Sequence, residues 1–564
     1  MKCKKRNTRQ KRKIAAIAVA AFGIAGAAEA FEIETGNPDV DMRWDNTVRY
    51  NLGVRANSIG NGGNNPNFDE GEYKFKRGSV VTHRVDLLSE FDFIYRKAMG
   101  FRVSGAGWYD HAYRDAVAKR NPNLPATIAG SYVNDQYSSY TKRFARGPSG
   151  EILDAFVFGT VNLGEMPLSV KAGQHTVYWG ESLLQAGGLH GVSYSQMPLD
   201  LAKAFATPGI EAKELFLPLT NISAQLLATN ELSFAAQYFL DWAPTRIPEG
   251  GTFLGPADFL MYGADRVSAA LVNGGVSRPK KRGDWGVNAR WRPAALDGTV
   301  GFYYRNLTDK LPSVFLTGGQ YREYFGEDID LFGVSLSKQI GGASVGMEFS
   351  YRKNMALNGQ TLGAVAPTAT LIGNTFQARG NTFHAVLNAM GIIPQNSLFN
   401  SANWNAEMTF VHLDKVTANQ DMFYGQGYGV CNAGNRAALG ARYRDKWDGC
   451  SSRNAFGVAF NFSPNWLQVY PGIDMSMPMS VGYGIKGNAP TALGGNQGNG
   501  SYSIGLGLDV DARYRIDLRY VDYFGHSKEG PGLVPGTTQV TSANGLSTNL
   551  KDRGWVALTL KASF

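Results

Sequence analysis

The last ten residues of the 564-residue chain read Trp555-Val-Ala-Leu-Thr-Leu-Lys-Ala-Ser-Phe564. At the two-residue period of a β-strand, Val556, Leu558, Leu560, Ala562 and Phe564 share one face. Thr559, Lys561 and Ser563 take the other. An edge strand of a soluble sheet alternates too, but seldom ends a polypeptide on a bare phenylalanine behind an unbroken hydrocarbon face. A strand with lipid on one side and an aqueous lumen on the other has reason to do so. The pattern predicts the closing strand of a transmembrane barrel.

The amino terminus supplies an address. Lys2, Lys4, Lys5, Arg6, Arg9, Lys11, Arg12 and Lys13 form a basic region, Ile14 to Ala28 is apolar, and Ala28-Glu29-Ala30 has the form of a cleavage site. That apolar run falls short of the roughly 20 residues a helix needs to span a bilayer. Cys3 precedes it, so a lipoprotein anchor is not implied. Residues 1–30 are expected to be a Sec-type signal cleaved near Ala30, and 31–564 one barrel domain in the outer membrane of a Gram-negative cell. Without the signal, 48 basic residues face 46 acidic ones, about +2, so the basic balance carries no argument for a nucleic-acid partner.

Runs of period two predict an all-β, antiparallel transmembrane barrel of about 18 strands, with roughly 16 to 20 compatible. Trp44, Val48, Tyr50, Leu52 and Val54 face one way in the first, and Arg43, Asp45, Thr47, Arg49 and Arg55 the other. The charged face belongs to the lumen, because an Arg or Lys facing lipid at the midplane costs about 2 to 4 kcal/mol. Short connections such as Gly341-Gly342 alternate with long ones, including 56–78, 114–150, 182–218, 243–283, 354–381 and 414–454. The long ones are expected outside the cell, some folded into the lumen. Cys431 and Cys450 share one long polar segment, and in an oxidising compartment they are expected to form a disulfide contributing about 3 kcal/mol. That segment contains no His for a zinc site; no metal and no cofactor are expected.

With these blocks placed, the chain resembles the domain-of-unknown-function 1302 family of Gram-negative outer-membrane proteins. The resemblance rests on Arg43-Trp-Asp-Asn-Thr-Val-Arg-Tyr50, His83-Arg-Val-Asp-Leu-Leu-Ser-Glu-Phe91, Gly107-Trp-Tyr-Asp-His-Ala-Tyr113, Asp154-Ala-Phe-Val-Phe158, Tyr178-Trp-Gly-Glu-Ser182, Trp242-Ala-Pro-Thr-Arg-Ile-Pro248 and Glu327-Asp-Ile-Asp-Leu-Phe-Gly333. It implies a barrel associated with degradation of steroids, aromatics or other apolar compounds, sometimes beside a resistance-nodulation-division (RND) transporter. It implies no particular substrate and no binding residues.

The densest chemistry lies in Lys171-Ala-Gly-Gln-His-Thr-Val-Tyr-Trp-Gly-Glu-Ser182. If this is one strand, Lys171, His175, Trp179 and Glu181 share the luminal face. The apolar stretch that follows, Leu183 to Phe205, is expected to fold into the mouth or lumen. Trp179 and Glu181 then line a constriction, or else pin that loop. Trp108, Tyr109, Asp110 and Tyr113 are further ligand contacts, or members of an interfacial aromatic girdle. Asp69, Glu70 and Glu72 offer oxygen ligands of the kind Ca²⁺ takes, but without EF-hand spacing the segment 57–72 is expected to be a solvated loop.

No enzyme is expected. Neither H-E-x-x-H nor a P-loop occurs, no hydrolase elbow is anticipated, and about 20 Å of strand would separate His175 from Ser182. The leading functional expectation is selective passage of small, apolar molecules. The alternatives are a lipid-handling or assembly component serving an RND-type exporter, and a general diffusion porin. Outer-membrane lipid and lipopolysaccharide are expected neighbours, with a periplasmic partner as a further one.

Overall fold

The computed structural model describes residues 31–564 except 209 and 211–213; residues 1–30, the expected signal with Cys3, lie outside the described residues. Its main sheet is a closed antiparallel barrel of 18 strands. It opens with Val40–Arg55 and Val80–Tyr95 and ends with Tyr514–Phe524 and Trp555–Ser563. Closure comes from pairing of the first strand with the last, from Thr47 opposite Ser563 to Arg55 opposite Trp555. One barrel strand is interrupted, Ile473–Ser476 continuing as Met479–Lys486 between the same neighbours.

The alternation expected from the sequence sets the two faces. Leu87, Ile152, Val157, Phe302 and Met408 point to the lipid, Val157 being 59% exposed, while their neighbours turn inward. Burying polar side chains inside and leaving hydrocarbon outside is stable only in a bilayer. This is an outer-membrane barrel. Near its external rim Tyr238, Trp285, Tyr304, Phe332, Tyr351 and Phe383 form an outward aromatic row across neighbouring strands. Among the described residues no helix is long and apolar enough to cross a membrane.

Turns of a few residues close one end, and all the long connections gather at the other. There they build a cap. Five short strands, Arg266–Ser268, Leu271–Val276, Ser313–Thr317, Gln320–Tyr324 and Gly363–Ala364, form a sheet of their own. A hairpin of Ser527–Pro531 with Thr538–Ala543 packs against the short helices at Asn61–Asn64 and Lys446–Asp448. Phe315, Tyr324, Leu357, Leu413, Met422 and Phe423 pack beneath as a separate core. Cys431 and Cys450 are joined within this region, with a Cα–Cα distance of 6.1 Å. Thiol labelling of the unreduced, denatured protein is expected to find neither cysteine free; labelling of both would refute the bond.

The segment 57–72 is not a solvated loop, which corrects the expectation for it. Asp69, Glu70 and Glu72 begin a short helix, Asp69–Lys74, and each is 1% exposed. Glu72 pairs with both Arg55 and Arg553, so one carboxylate ties this helix to the first strand and to the approach of the last. Arg553 also donates to the carbonyls of Phe253 (2.7 Å) and Gly255 (2.9 Å). The barrel seam and two external loops are thereby joined through buried charge, which is stable only because every ion has a counter-ion or dipole. Among the described residues no cluster suited to holding a metal ion occurs.

Candidate functional site

The expected strand through Trp179 ends early. Met166–His175 is wall; from Thr176 the chain leaves it, and the described residues up to Leu217 cross the interior with two short helices, Gln185–His190 and Leu201–Ala206. Trp179 and Glu181 are therefore not wall residues facing the lumen by strand alternation, which is a correction. Trp179 is buried with Val192, Tyr194 and Leu201 against Tyr303, Leu307 and Leu331 of the wall four and five strands further on. Gly286 makes room for it, since a Cβ there would stand 2.9 Å from the indole ring. Glu181 faces Arg290 at 3.4 Å, in a pair whose arginine is 46% exposed toward the lumen.

Two wall carboxylates hold the inward segment. Glu348, on Ala343–Ala356, accepts the backbone N–H groups of Glu181, Ser182 (2.8 Å) and Val192 (2.6 Å). Glu407, on Ser401–Ala418, accepts those of Leu183 (2.8 Å) and Leu184. Two wall arginines grip the carbonyls. Arg305 donates to Val192 (2.9 Å) and Tyr194 (2.7 Å), and Arg352 to Leu189 and Gly191, both at 3.1 Å. Backbone that cannot form a ladder inside a barrel needs such partners, and charged ones are the strongest. Gly180 is required at this turn: its φ is +98°, and a Cβ would sit 2.5 Å from both Glu348 Oε1 and Val192 Cγ2.

The first helix of the segment is fixed by a histidine chain. The Gly494 carbonyl accepts from His190 Nε2 (2.9 Å), which leaves Nδ1 of a neutral ring to accept from His384 Nδ1 (2.9 Å). His384 Nε2 then accepts from the Thr382 hydroxyl (2.9 Å). The chain joins segment, wall and the 487–499 loop.

The remaining expected site residues separate into two groups. Lys171 and His175 do face inward. Lys171 stands 5.4 Å over the Phe156 ring, and His175 donates to the Gly173 carbonyl (3.0 Å) and accepts from Ser223 (2.7 Å). Trp108 also faces inward, its indole N–H on the Arg143 carbonyl at 2.9 Å, and Asp110 is buried where it accepts from Thr82, His83 and Ala112. Tyr109 does not join them. Opposite Val85 and 37% exposed, it lies on the outer face as part of the girdle, because alternation turns it away from Trp108. Ser182 is nowhere near His175's partners, lying instead against Tyr178 and Ser193. One G-x-S-x-G string does occur, Gly342-Ala-Ser-Val-Gly346, against expectation; it opens a hairpin strand with Ser344 paired to Gln339 and Met390, not a strand-to-helix elbow.

Two kinds of space remain around the segment. Between it, the cap and the first strands lies a cavity of about 100 Å³ walled by Trp108, Tyr140, Phe144, Phe253, Leu254 and Trp555. Most of its charges are matched, Arg84 with Asp86 (2.8 Å), Arg246 with Glu151 (2.6 Å) and Asp200 (3.1 Å), Lys203 with Glu214 (3.2 Å), while Asp110 and Glu249 in its wall accept from backbone N–H groups. On the other side Phe205 and Pro208 leave a space of about 450 Å³ against Asn403, Asn405, Asn461 and Ser503. It meets a basic space of about 360 Å³ at Pro208 and Arg519.

The family model described as protein of unknown function (DUF1302) matches residues 11–564. The chain belongs to that family. No curated protein matches this DUF1302 member. Among solved structures it is similar to OccAB4 of Acinetobacter baumannii, with TM-score 0.40 and 9% identity over 94% of this chain and 100% of that one. It is also similar to Pseudomonas aeruginosa OpdK with vanillate (TM-score 0.41, 8%, covering 93% and 98%) and to a BenF-like porin from Pseudomonas fluorescens Pf-5 (0.38, 8%, 93% and 98%).

Proposed function

We propose that this barrel is a selective outer-membrane channel for small molecules with substantial apolar surface. The observation that carries the reading is the inward segment, which crosses the lumen and leaves beside it a cavity faced by aromatic and apolar side chains, Trp108, Tyr140, Phe144, Phe253, Leu254 and Trp555 among them, with most of its ions paired. A general diffusion pore needs an open, water-filled eyelet. Here the direct path is crossed by protein, and a solute moves around it, from aromatic contacts at the cap to the Asn- and Ser-lined wall. An aromatic wall with neutralised charge favours a solute that sheds water over most of its surface. Planar-bilayer recording is expected to give low conductance for simple salts, together with uptake by intact cells of steroid-, aromatic- or alkane-like compounds that a deletion strain lacks. High salt conductance with no such uptake defect would refute the proposal in favour of the porin reading.

Within this reading Trp108, Trp179 and Glu181 divide the work, while Lys171 and His175 belong to the inward wall below them. Trp108 faces the solute; Trp179 sets the position of the segment; Glu181 with Arg290 borders the open lumen. Trp179→Ala is expected to lower thermal stability in detergent by about 3 to 5 kcal/mol, as large-to-small changes in packed cores do. Glu181→Gln is expected to change uptake per folded barrel with little effect on stability, the pair being half exposed. Wild-type uptake per barrel in Glu181→Gln and Trp108→Ala alike would remove both residues from the route.

A further inference from the structure

Between the cap and the wall strand Trp285–Trp291 runs Ser277-Arg-Pro-Lys-Lys-Arg-Gly283, four cations in five residues with no acid. Its two ends are fixed. Ser277 donates through its N–H to the Glu323 carbonyl (2.8 Å) and exchanges bonds with Asn374, while the Gly283 N–H reaches the Phe239 carbonyl (3.4 Å). Pro279 is buried between them, and Arg278, Lys280, Lys281 and Arg282 are all exposed. None of the four belongs to an ion pair found among the described residues. The run is thus an anchored arch that displays charge, not a free loop.

Its height relative to the membrane is set by the girdle. Arg282 is three residues from Trp285, so their Cα atoms lie within about 10 Å. Trp285 is lipid-facing, opposite Tyr238 and edge-on to Tyr304 at 5.2 Å. Trp and Tyr girdles mark the headgroup level. The long side chains of the arch therefore reach the layer where outer-leaflet lipid carries its phosphates. Lys353, over the Phe332 ring at 5.3 Å, adds a fifth cation on the adjoining wall. Four acids lie nearby: Asp284, which pairs with Lys310 (3.5 Å) and accepts from Thr308 (2.8 Å), Glu327, which faces Lys280, its neighbour Asp328, and Asp330, which accepts from Tyr304 and Asn306.

We infer that the arch 278–282, with Lys353, is a docking surface for the phosphorylated headgroup of an outer-leaflet glycolipid. Continuity with the lipid-facing wall favours a membrane lipid over a solute, and multiple flexible cations suit a headgroup with more than one phosphate. The inference does not depend on what the channel carries. It is tested on the purified full barrel in detergent, by native mass spectrometry with bis-phosphorylated lipid A, dephosphorylated lipid A and inorganic phosphate as probes. The wild type is expected to bind the bis-phosphorylated form best, and R278Q/K280Q/K281Q/R282Q to lose about tenfold or more of that affinity. Heat-modified gel mobility shows whether the variant is folded; K280Q/K281Q alone, expected to lose a smaller part, serves if the quadruple variant is not. Unchanged affinity in a folded variant, equal binding of the dephosphorylated lipid, or full competition by inorganic phosphate at millimolar concentration would each overturn the assignment. Salt conductance is expected to be the same in variant and wild type, so a failed channel reading and a failed lipid site are distinguishable.

Discussion

E348A/E407A is expected to raise single-channel conductance severalfold while leaving a folded barrel. Between them Glu348 and Glu407 receive five backbone N–H groups of the inward segment, from residues 181 to 184 and 192. Hydrogen bonds to charged groups contribute about 1.5 to 3 kcal/mol each, and the donors left behind would be buried without partners. Even a discounted total of about 4 kcal/mol moves a segment that is docked nearly all the time toward one that is undocked for a large share of it. The wall pairing around residues 348 and 407 is backbone to backbone and survives the change. E348Q is expected to act in the same direction more weakly, since its amide keeps one acceptor but turns a donor toward other donors. Bilayer recordings check conductance, and limited proteolysis checks release of the segment 176–218. Conductance and cleavage at wild-type levels in a folded E348A/E407A barrel would show that the segment is held by its apolar contacts instead.

The second large effect is on the cap and follows pH. Burial pushes the Glu249 carboxyl up to about 8, with Glu323 nearby adding to it, and burial pushes Glu323 up to about 8 as well. Both Glu323 oxygens are buried without a hydrogen-bond partner. Asp69 is raised to about 8 and Glu70 well above its ordinary range by burial and by Asp258. The folded cap therefore holds protons that the unfolded cap releases above pH about 4.5. Its stability is fully present below that pH and is lost as pH rises through about 8. For one such group the difference is on the order of 4 kcal/mol. The cap is expected to resist protease longer at pH 5.5 than at pH 8.5, with rates corrected against an unfolded substrate. E249Q/E323Q is expected to weaken that dependence, because Gln carries no charge at either pH, and to leave the part that Asp69 and Glu70 contribute. Equal resistance of the wild-type cap at both pH values, or greater resistance at pH 8.5, would contradict the burial argument.

Much of the barrel was legible because its determinants are local. Whether Val556 faces lipid and Lys561 the lumen depends on a two-residue period and on a bilayer that punishes the wrong choice, and both are available before any contact is known. The same logic placed the long connections at one end and the two cysteines in one loop. It failed where the period stopped: extended through Thr176 to Trp179, it made wall residues of side chains that belong to a segment crossing the interior. The only local sign of that break was Gly180 between Trp179 and Glu181, a glycine whose left-handed φ becomes meaningful once Glu348 lies against it.

The sequence by itself determined the barrel class, a strand number of about 18 within the range of roughly 16 to 20, the two-sided facing of its regular strands and the gathering of the long connections at one end. Only the tertiary structure decided what fills the lumen. Glu348 meets Glu181 across 167 residues of chain, Glu407 meets Leu183 across 224, and Arg553 meets Glu72 across 481. On their own strands Glu348 and Glu407 are ordinary inward charges, alike in pattern to those that face water, and Arg553 lies in the connection before the last strand. Their role as anchors arises because segments distant in sequence fold against them, where a buried carboxylate or guanidinium is stable only against opposite charge or the dipoles of backbone that has left its own sheet. The acidic helix Asp69–Lys74 follows the same rule: its composition reads as solvated, and its burial was set by two arginines at the seam.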